Sequence, residues 1–163
     1  MKPPLDVKPP WQEEILQRWR IRHVAMEALR PGDHLWTSRC ARTKDLPEGT
    51  PRDLYRSDLL EEFYGFTERN GLRYGIVSDR YGLHLDDEVL PYYDVHPSML
   101  SGADKRDLGA VVKRKTLAAG YGSIVFFAHS PLMSRPYFEI LDHAEINVFF
   151  VTTLRSQDRC RKR

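Results

Sequence analysis

The chain has 163 residues, of which 41% are hydrophobic and 11% aromatic, so it can form one domain with a buried core and is not disordered throughout. Its 25 basic and 23 acidic residues give a net charge of +2, which excludes the strongly basic composition typical of nucleic-acid-binding domains. The two cysteines, Cys40 and Cys160, form neither a disulfide framework nor a metal-finger spacing, and this favours a reducing compartment.

The N-terminal segment is predicted to be an arm followed by a helix. Residues 1–10 contain four prolines and no apolar signal core, which indicates an extended arm and a cytoplasmic protein. From Trp11 to about Leu29 apolar residues recur at helical spacing, and Pro31 then ends the helix. No apolar run approaches the ~20 residues that span a membrane. We expect residues 1–30 to precede the main domain and to be available for packing on a second subunit of a homo-oligomer.

The rest of the chain alternates between short apolar strands and amphipathic helices. The predicted strands are 34–37, 74–78, 123–128 and 146–151, and the predicted helices are 57–70, 104–119 and 134–143. This alternation predicts an α/β fold for residues 31–154, a three-layer α/β/α sandwich with a mostly parallel sheet of about four strands and an extra N-terminal helix. Residues 155–163 form a basic tail, either a contact for nucleic-acid phosphates or a disordered end.

The loop after the first predicted strand carries the sharpest candidate for chemistry. Cys40 is flanked by Arg39, Arg42 and Lys44, and nearby cations lower the pKa of a thiol and increase its thiolate fraction. Such a thiolate attacks electrophilic carbon atoms, for example in nitriles and acyl groups. The alternative is a buried cysteine that packs as a small hydrophobe. Because the carboxyl ends of parallel strands share one edge, we expect Cys40 to face the loops after the later strands.

The loop after the second predicted strand supplies hydroxyl, cationic, aromatic and acidic groups to the same edge. Asp87 and Asp94 are candidates for a general base or a ribose contact, or else belong to a solvated acidic loop. Tyr81 and Tyr93 can stack on a nucleobase or pack as rim aromatics. Gly82 is expected to adopt a positive φ in a turn.

Two further polar residues have competing interpretations. His129 directly follows the most apolar strand, where a histidine serves in acid–base chemistry or, more commonly, in a structural hydrogen bond. Ser57 is predicted to cap the helix that follows it, because its hydroxyl can accept a first-turn N–H. The histidines and Cys40 show no metal-ligand spacing, and the chain contains neither a P-loop nor a G-x-G-x-x-G motif. No metal or cofactor is therefore predicted.

Three segments resemble a family of small uncharacterised proteins. They are the C-x-x-x-K spacing of Cys40 and Lys44, the R-D-L-Y-x-S segment at 52–57, and the S-x-x-Y-G-L segment at 78–83 followed by D-E-V-L-P-Y-Y-D at 87–94. That family is similar to the uracil-DNA-glycosylase-like domain of archaeosine synthase, a transfer-RNA modification enzyme that works on a 7-deazaguanine base. The resemblance covers about residues 34–95, and it implies a three-layer α/β fold with the matching residues at the site.

The resemblance and the residues at this edge together predict an enzyme that acts on a nucleobase, nucleoside or nucleotide. The candidate catalytic residues are Cys40, Asp87 and Asp94. The candidate ligand-binding residues are Ser38, Lys44, Tyr55, Ser57, Ser78, Arg80, Tyr81, Gly82, Tyr93 and His129. The alternatives are a non-catalytic nucleotide- or RNA-binding module, in which Cys40 is dispensable, and a protein–protein adaptor with an exposed apolar patch and no pocket.

Overall fold

A computed structural model describes residues 10–41, 46–93 and 99–154 of the chain. The predictions for the first nine residues of the arm, for Arg42, Lys44 and Asp94, and for the basic tail with Cys160 lie outside these residues. None of the helices in the described ranges combines the length and the apolar character that crossing a bilayer requires.

The helices and strands have the following bounds. The helices are α1 (Pro10–Arg18), α2 (Pro51–Leu54), α3 (Asp58–Arg69), α4 (Gly102–Ala118) and α5 (Arg135–His143). The strands are β1 (Arg22–His23), β2 (Leu35–Arg39), β3 (Glu48–Gly49), β4 (Tyr74–Ser78), β5 (Gly82–Leu85), β6 (Leu90–Pro91), β7 (Ser123–Phe127) and β8 (Asn147–Val151).

The main sheet has six strands in the order β1-β8-β7-β2-β4-β5. All neighbouring strands are parallel except β4 and β5, whereas β3 and β6 pair in a separate small antiparallel sheet. The predicted α/β fold with a mostly parallel sheet is therefore confirmed. The four strands expected from the sequence are β2, β4, β7 and β8, and β1 and β5 extend the sheet at its two edges.

The phenylalanines of β7 show that helices cover both faces of the sheet. Phe127 stacks on Phe63 of α3 with ring centroids 6.4 Å apart, whereas Phe126 packs on Phe138 of α5 at 5.3 Å. Successive side chains of a strand point to opposite faces, so α3 and α5 lie on opposite sides. α4 packs against α5. These four rings are fully buried and form the centre of the core on each side.

The predicted helix from Trp11 to Leu29 is wrong beyond Arg18. Arg20 adopts a positive φ of 58°, and the Ile21 N–H bonds back to the Leu16 carbonyl while the Arg20 N–H bonds to the Gln17 carbonyl. This pair of hydrogen bonds is the Schellman arrangement that ends a helix. Three buried apolar residues follow: Ile21 lies just before β1, Met26 in a short 3-10 turn (Met26–Ala28) and Leu29 just after that turn. Their helical spacing therefore does not reflect a helix.

The segment after β4 is also more regular than the sequence predicts. Residues 82–85, expected to be loop, form β5, and Gly82 adopts the positive φ expected of it, 73°. A side chain at Gly82 would come within 2.7 Å of the Leu108 carbonyl oxygen of α4. The tight turn from β4 to β5 therefore requires glycine both for its backbone conformation and for the close approach of α4.

The order of the strands locates a topological switch point. From β2 the chain moves to β4 on one side and then returns past β2 to β7 on the other side. In open α/β sheets, ligands bind at the carboxyl ends of the strands where the direction of winding reverses in this way. Here that place lies between the ends of β2 and β7, beside Cys40 and the first turn of α5.

Candidate functional site

Cys40, Tyr137 and Asp79 meet at the switch point. Cys40 directly follows β2, and its Sγ lies 3.2 Å from the Tyr137 hydroxyl of α5 and 3.7 Å from Asp79 Oδ1 at the end of β4. A carboxylate oxygen only accepts, so the thiol donates to Asp79 and the Tyr137 hydroxyl donates to the sulfur. The thiol thus has a proton acceptor on one side and a hydrogen-bond donor on the other.

The direction of the Cys40 pKa shift differs from the sequence-based prediction. Neighbouring cations in the chain predict a lowered pKa, but burial of the thiol, together with the Asp79 charge, raises the pKa of Cys40 to about 11. Hydrogen bonds from Tyr137 and Tyr93 act in the opposite direction without offsetting burial. The residue is partly exposed, but its sulfur is desolvated, so Cys40 is a protonated thiol at neutral pH.

A chain of hydroxyl groups runs from the end of β4 toward His84. The Ser78 hydroxyl accepts the N–H groups of Arg80 and Tyr81 at 3.1 and 3.0 Å, which occupies both of its lone pairs. It therefore donates its proton to the Tyr93 hydroxyl, 2.7 Å away. The Tyr93 proton is left to interact with Tyr55 and Cys40.

His84 ends this chain and its tautomer follows from its partners. Its Nε2 lies 2.7 Å from the Glu88 carbonyl oxygen, which only accepts, so Nε2 carries the proton. Burial lowers the pKa of His84, and the ring is neutral. Nδ1 then accepts from the Tyr55 hydroxyl at 3.1 Å. Burial also raises the pKa values of Tyr55 and Tyr93, so both tyrosines stay protonated and every hydrogen bond keeps this direction.

An ion pair supports the far side of His84. Lys115 of α4 donates to both Glu88 carboxylate oxygens at 2.9 and 3.0 Å and to the Leu83 carbonyl at 2.9 Å. Burial alone would raise the pKa of Glu88, but the hydrogen bonds from Lys115 and Leu85 and the Lys115 charge together lower it. The pair joins α4 to the β4–β5 hairpin and leaves no donor of Lys115 without an acceptor.

Tyr81 and Arg80 lie on the turn beside Tyr93. The Tyr81 hydroxyl donates to the Pro91 carbonyl at 2.6 Å, and its ring meets the Tyr93 ring edge-on at 5.2 Å. Arg80 is exposed, with its guanidinium 6.0 Å from the centre of the Tyr81 ring. Tyr81, Tyr93 and Arg80 therefore form an aromatic and cationic rim next to Ser78.

Asp87 does not lie at the carboxyl edge, contrary to the prediction. β5 runs antiparallel to β4, and the neighbouring Asp86 bonds the backbone of Tyr74, the first residue of β4. Asp87 is therefore at the amino end of β4, about 13 Å or more from Ser78 along the strand. It is exposed there and pairs with Arg73 at 3.3 Å. The antiparallel return of the chain, which the sequence analysis missed, accounts for the difference.

Three other predicted site residues make hydrogen bonds within the fold. Ser38 is fully buried and donates to the Phe127 carbonyl at 2.7 Å. Ser57 caps α3, as predicted, by accepting the Leu60 N–H at 3.1 Å. His129 is exposed and pairs with Glu62 of α3 at 2.8 Å. Of the described candidates, the structure gathers Cys40, Tyr55, Ser78, Arg80, Tyr81, Gly82 and Tyr93 around the ends of β2 and β4.

Tyr137 and His84 are members of this cluster that the sequence analysis did not select. Tyr137 lies in the first turn of a helix that follows a buried strand, and this position faces the carboxyl edge in α/β folds. That placement was a usable signal. The sequence signal for His84 was weak. It consisted of the alternation of Leu83, His84 and Leu85, which is typical of a strand with one polar residue on a buried face.

The described residues contain no group of three or more histidine, cysteine or acidic side chains that could hold a metal ion. A shallow cleft lies at the ends of β1 and β8, between residues 23–27 and 151–153. None of the predicted site residues lines this cleft.

No family model, no curated protein and no solved structure matches the chain.

Proposed function

We propose that the protein is an enzyme that acts on a nucleobase, nucleoside or nucleotide at the switch point, with Cys40 as its nucleophile. The observation that carries this proposal is the position of the Cys40 thiol. Its sulfur lies 3.7 Å from Asp79 Oδ1, to which it donates, and it accepts from the Tyr137 hydroxyl. A nucleophile needs such a base and such an orienting group. The aromatic rim of Tyr81 and Tyr93 supports a planar ligand, since aromatic faces stack on any base.

The chemical step follows from the hydrogen-bond directions. Cys40 Sγ forms a bond to an electrophilic carbon of the ligand, such as a nitrile or acyl carbon. The thiol proton moves to Asp79 Oδ1, and one electron pair of the C≡N or C=O bond moves onto the nitrogen or oxygen. Tyr137 and Tyr93 then stabilise negative charge on the sulfur as it develops. Because the thiol is protonated at rest, Asp79 must accept the proton as the new bond forms.

A second candidate is a nucleotide- or RNA-binding module without chemistry. The observation that favours it is the Cys40 pKa of about 11, which leaves very little thiolate at neutral pH. In this case Cys40 packs against Tyr137, and the aromatic rim alone holds the ligand.

Cys40→Ser and Asp79→Asn variants separate the two candidates. A panel of bases, nucleosides and nucleotides, including nitrile-bearing 7-deazapurines, is tested for binding by calorimetry and for turnover and covalent adducts by mass spectrometry. We expect Cys40→Ser to bind ligand within about threefold of the parent but to lose turnover by about 10³-fold or more, and Asp79→Asn to lose about 10²- to 10⁴-fold. Cys160→Ser is the control. Full turnover by Cys40→Ser would exclude the enzyme proposal, and binding without turnover in the parent would support the module.

A further inference from the structure

Two buried polar atoms of the described residues have no hydrogen-bond partner. They are Arg39 Nε, at the last residue of β2, and Ser134 Oγ, immediately before α5. Ser134 is fully buried, at 0% exposure. A buried donor without an acceptor is costly, and folded proteins leave few of them. Arg39 ends β2 and Ser134 immediately precedes α5, and both of these elements border the switch point.

Arg39 and the start of α5 share one face of the sheet. Thr37 pairs in register with Phe126, whose ring packs on Phe138 of α5. Arg39 lies two residues after Thr37, so its side chain leaves the strand on the same face. The pKa of Tyr137 supports this placement. Burial is the main cause of its raised pKa, and the nearby Arg39 charge acts to lower it. Arg39 therefore lies close to the first turn of α5.

Ser134 differs from the serines that begin the other long helices. Ser57 accepts the Leu60 N–H at the start of α3, and Ser101 accepts the Asp104 N–H at the start of α4. Ser134 precedes the nine-residue α5 but makes no capping bond. The first turn of a helix carries N–H groups without intrahelical partners and a partial positive charge. At α5 a 3-10 turn (Leu132–Ser134) leads directly into the helix, and Pro136 has no N–H. The polar group left without a partner here is the buried Ser134 hydroxyl, at the positive end of the helix dipole.

We propose that Arg39, Ser134 and the first turn of α5 bind a phosphate group, so that the ligand of the switch point is a nucleoside monophosphate. The inference rests on the proposed function for the nucleoside part. Arg39 supplies a guanidinium that stays charged and only donates, Ser134 supplies a hydroxyl, and the helix supplies the positive end of its dipole. A guanidinium and a hydroxyl that donate, next to the positive end of a helix dipole, suit the oxygens of a phosphate. Asp79 lies in the same cluster, but it does not accept from Arg39 Nε and is hydrogen bonded by Cys40.

Inorganic phosphate tests this site by itself. At constant ionic strength, set with chloride, we expect phosphate at ten times its dissociation constant to raise Tm by about 3 to 6 °C. Ser134→Ala and Arg39→Gln should weaken phosphate binding about ten- to hundredfold in calorimetry. The control Arg114→Gln removes an exposed charge from α4 and should bind as the parent does. No phosphate binding by the parent, or equal binding by all variants, would overturn the proposal.

The Tm of Ser134→Ala without ligand is a second measurement. It distinguishes a ligand-binding serine from a purely structural one, because the two predict opposite changes. Because the variant removes a buried hydroxyl that has no partner, its Tm should equal or exceed that of the parent. A structural serine would instead lower Tm when replaced. Ser134→Ala therefore keeps the test decisive if Arg39→Gln does not fold, and a clear loss of Tm in Ser134→Ala would contradict the phosphate site.

Ligand pairs distinguish this proposal from the function on which it rests. We expect a nucleoside 5′-monophosphate to bind at least about tenfold more tightly than its nucleoside, and this advantage should disappear in Ser134→Ala. If nucleosides bind and the phosphate adds nothing, the phosphate site fails while the proposed function stands. If phosphate binds but no base or nucleoside does, the proposed function fails and the phosphate site stands. If only a short oligonucleotide binds, with steep salt dependence, the small nucleotide ligand is excluded.

Discussion

The polar groups on the two sides of the β4 strand contrast sharply in how they are partnered. On the hairpin side, Lys115 bonds Glu88 and Leu83, and His84 bonds Tyr55 and the Glu88 carbonyl. At the switch point, Arg39 Nε and Ser134 Oγ have no partner, and the Cys40 thiol is held protonated by burial. Groups that satisfy one another stabilise the fold. The buried groups left without partners at the switch point are the ones that the proposed ligand would use.

Removal of Lys115 should have the largest effect on stability. Lys115→Met leaves the partly buried Glu88 carboxylate and the Leu83 carbonyl without their donor, and we expect a loss of about 2 to 3 kcal/mol in the free energy of unfolding. Urea denaturation measures this value. Lys113→Met, an exposed lysine of the same helix, is the matched control and should stay within about 0.5 kcal/mol of the parent. Equal values for the two variants would show that the ion pair is not structural.

The reactivity of Cys40 tests the other side of the comparison. In a Cys160→Ser background, alkylation at pH 8 should be about a hundredfold slower than for a thiol of pKa 9.0, because burial raises the Cys40 pKa to about 11. The rate should keep rising with pH up to about 11. Asp79→Asn removes a charge that raises this pKa, so its profile should shift to lower pH. Tyr137→Phe removes a donor to the sulfur and should shift the profile upward. A plateau near pH 9 in the parent would contradict a desolvated thiol.

The two aspartates of the hairpin should give the smallest effects. Asp86, whose side chain is 18% exposed, accepts from Arg73 and from the Tyr74 N–H, whereas Asp87 is 72% exposed and meets only Arg73 in the described contacts. We expect Asp86→Asn to cost about 1 kcal/mol in unfolding free energy and Asp87→Asn less than about 0.5. Neither should change ligand binding or turnover. A selective loss of turnover in Asp87→Asn would restore that residue as a catalytic candidate and would break the comparison.

Part of the fold and part of the site could be predicted because their signals are local. The apolar runs of β2, β4, β7 and β8, the Ser57 cap and the positive φ of Gly82 each depend on a few neighbouring residues. The N-terminal helix was overextended because its apolar spacing suits a helix, although Arg20 ends it. The β5 strand was missed because a short strand is stabilised by its partner, and the pairing with β4 is not visible in the sequence.

The sequence by itself determined the alternation of helices and strands, and hence a parallel sheet whose carboxyl edge carries Cys40, Ser78 and Tyr81. Only the tertiary structure decided which polar groups on that edge have partners. Cys40 and Tyr137 are 97 residues apart in the chain and 3.2 Å apart in space, and β5 carries Asp87 to the opposite edge. Hydrogen bonds and burial depend on distances between segments far apart in the chain, so the pKa of Cys40 and the unpartnered atoms of Arg39 and Ser134 follow from the fold alone.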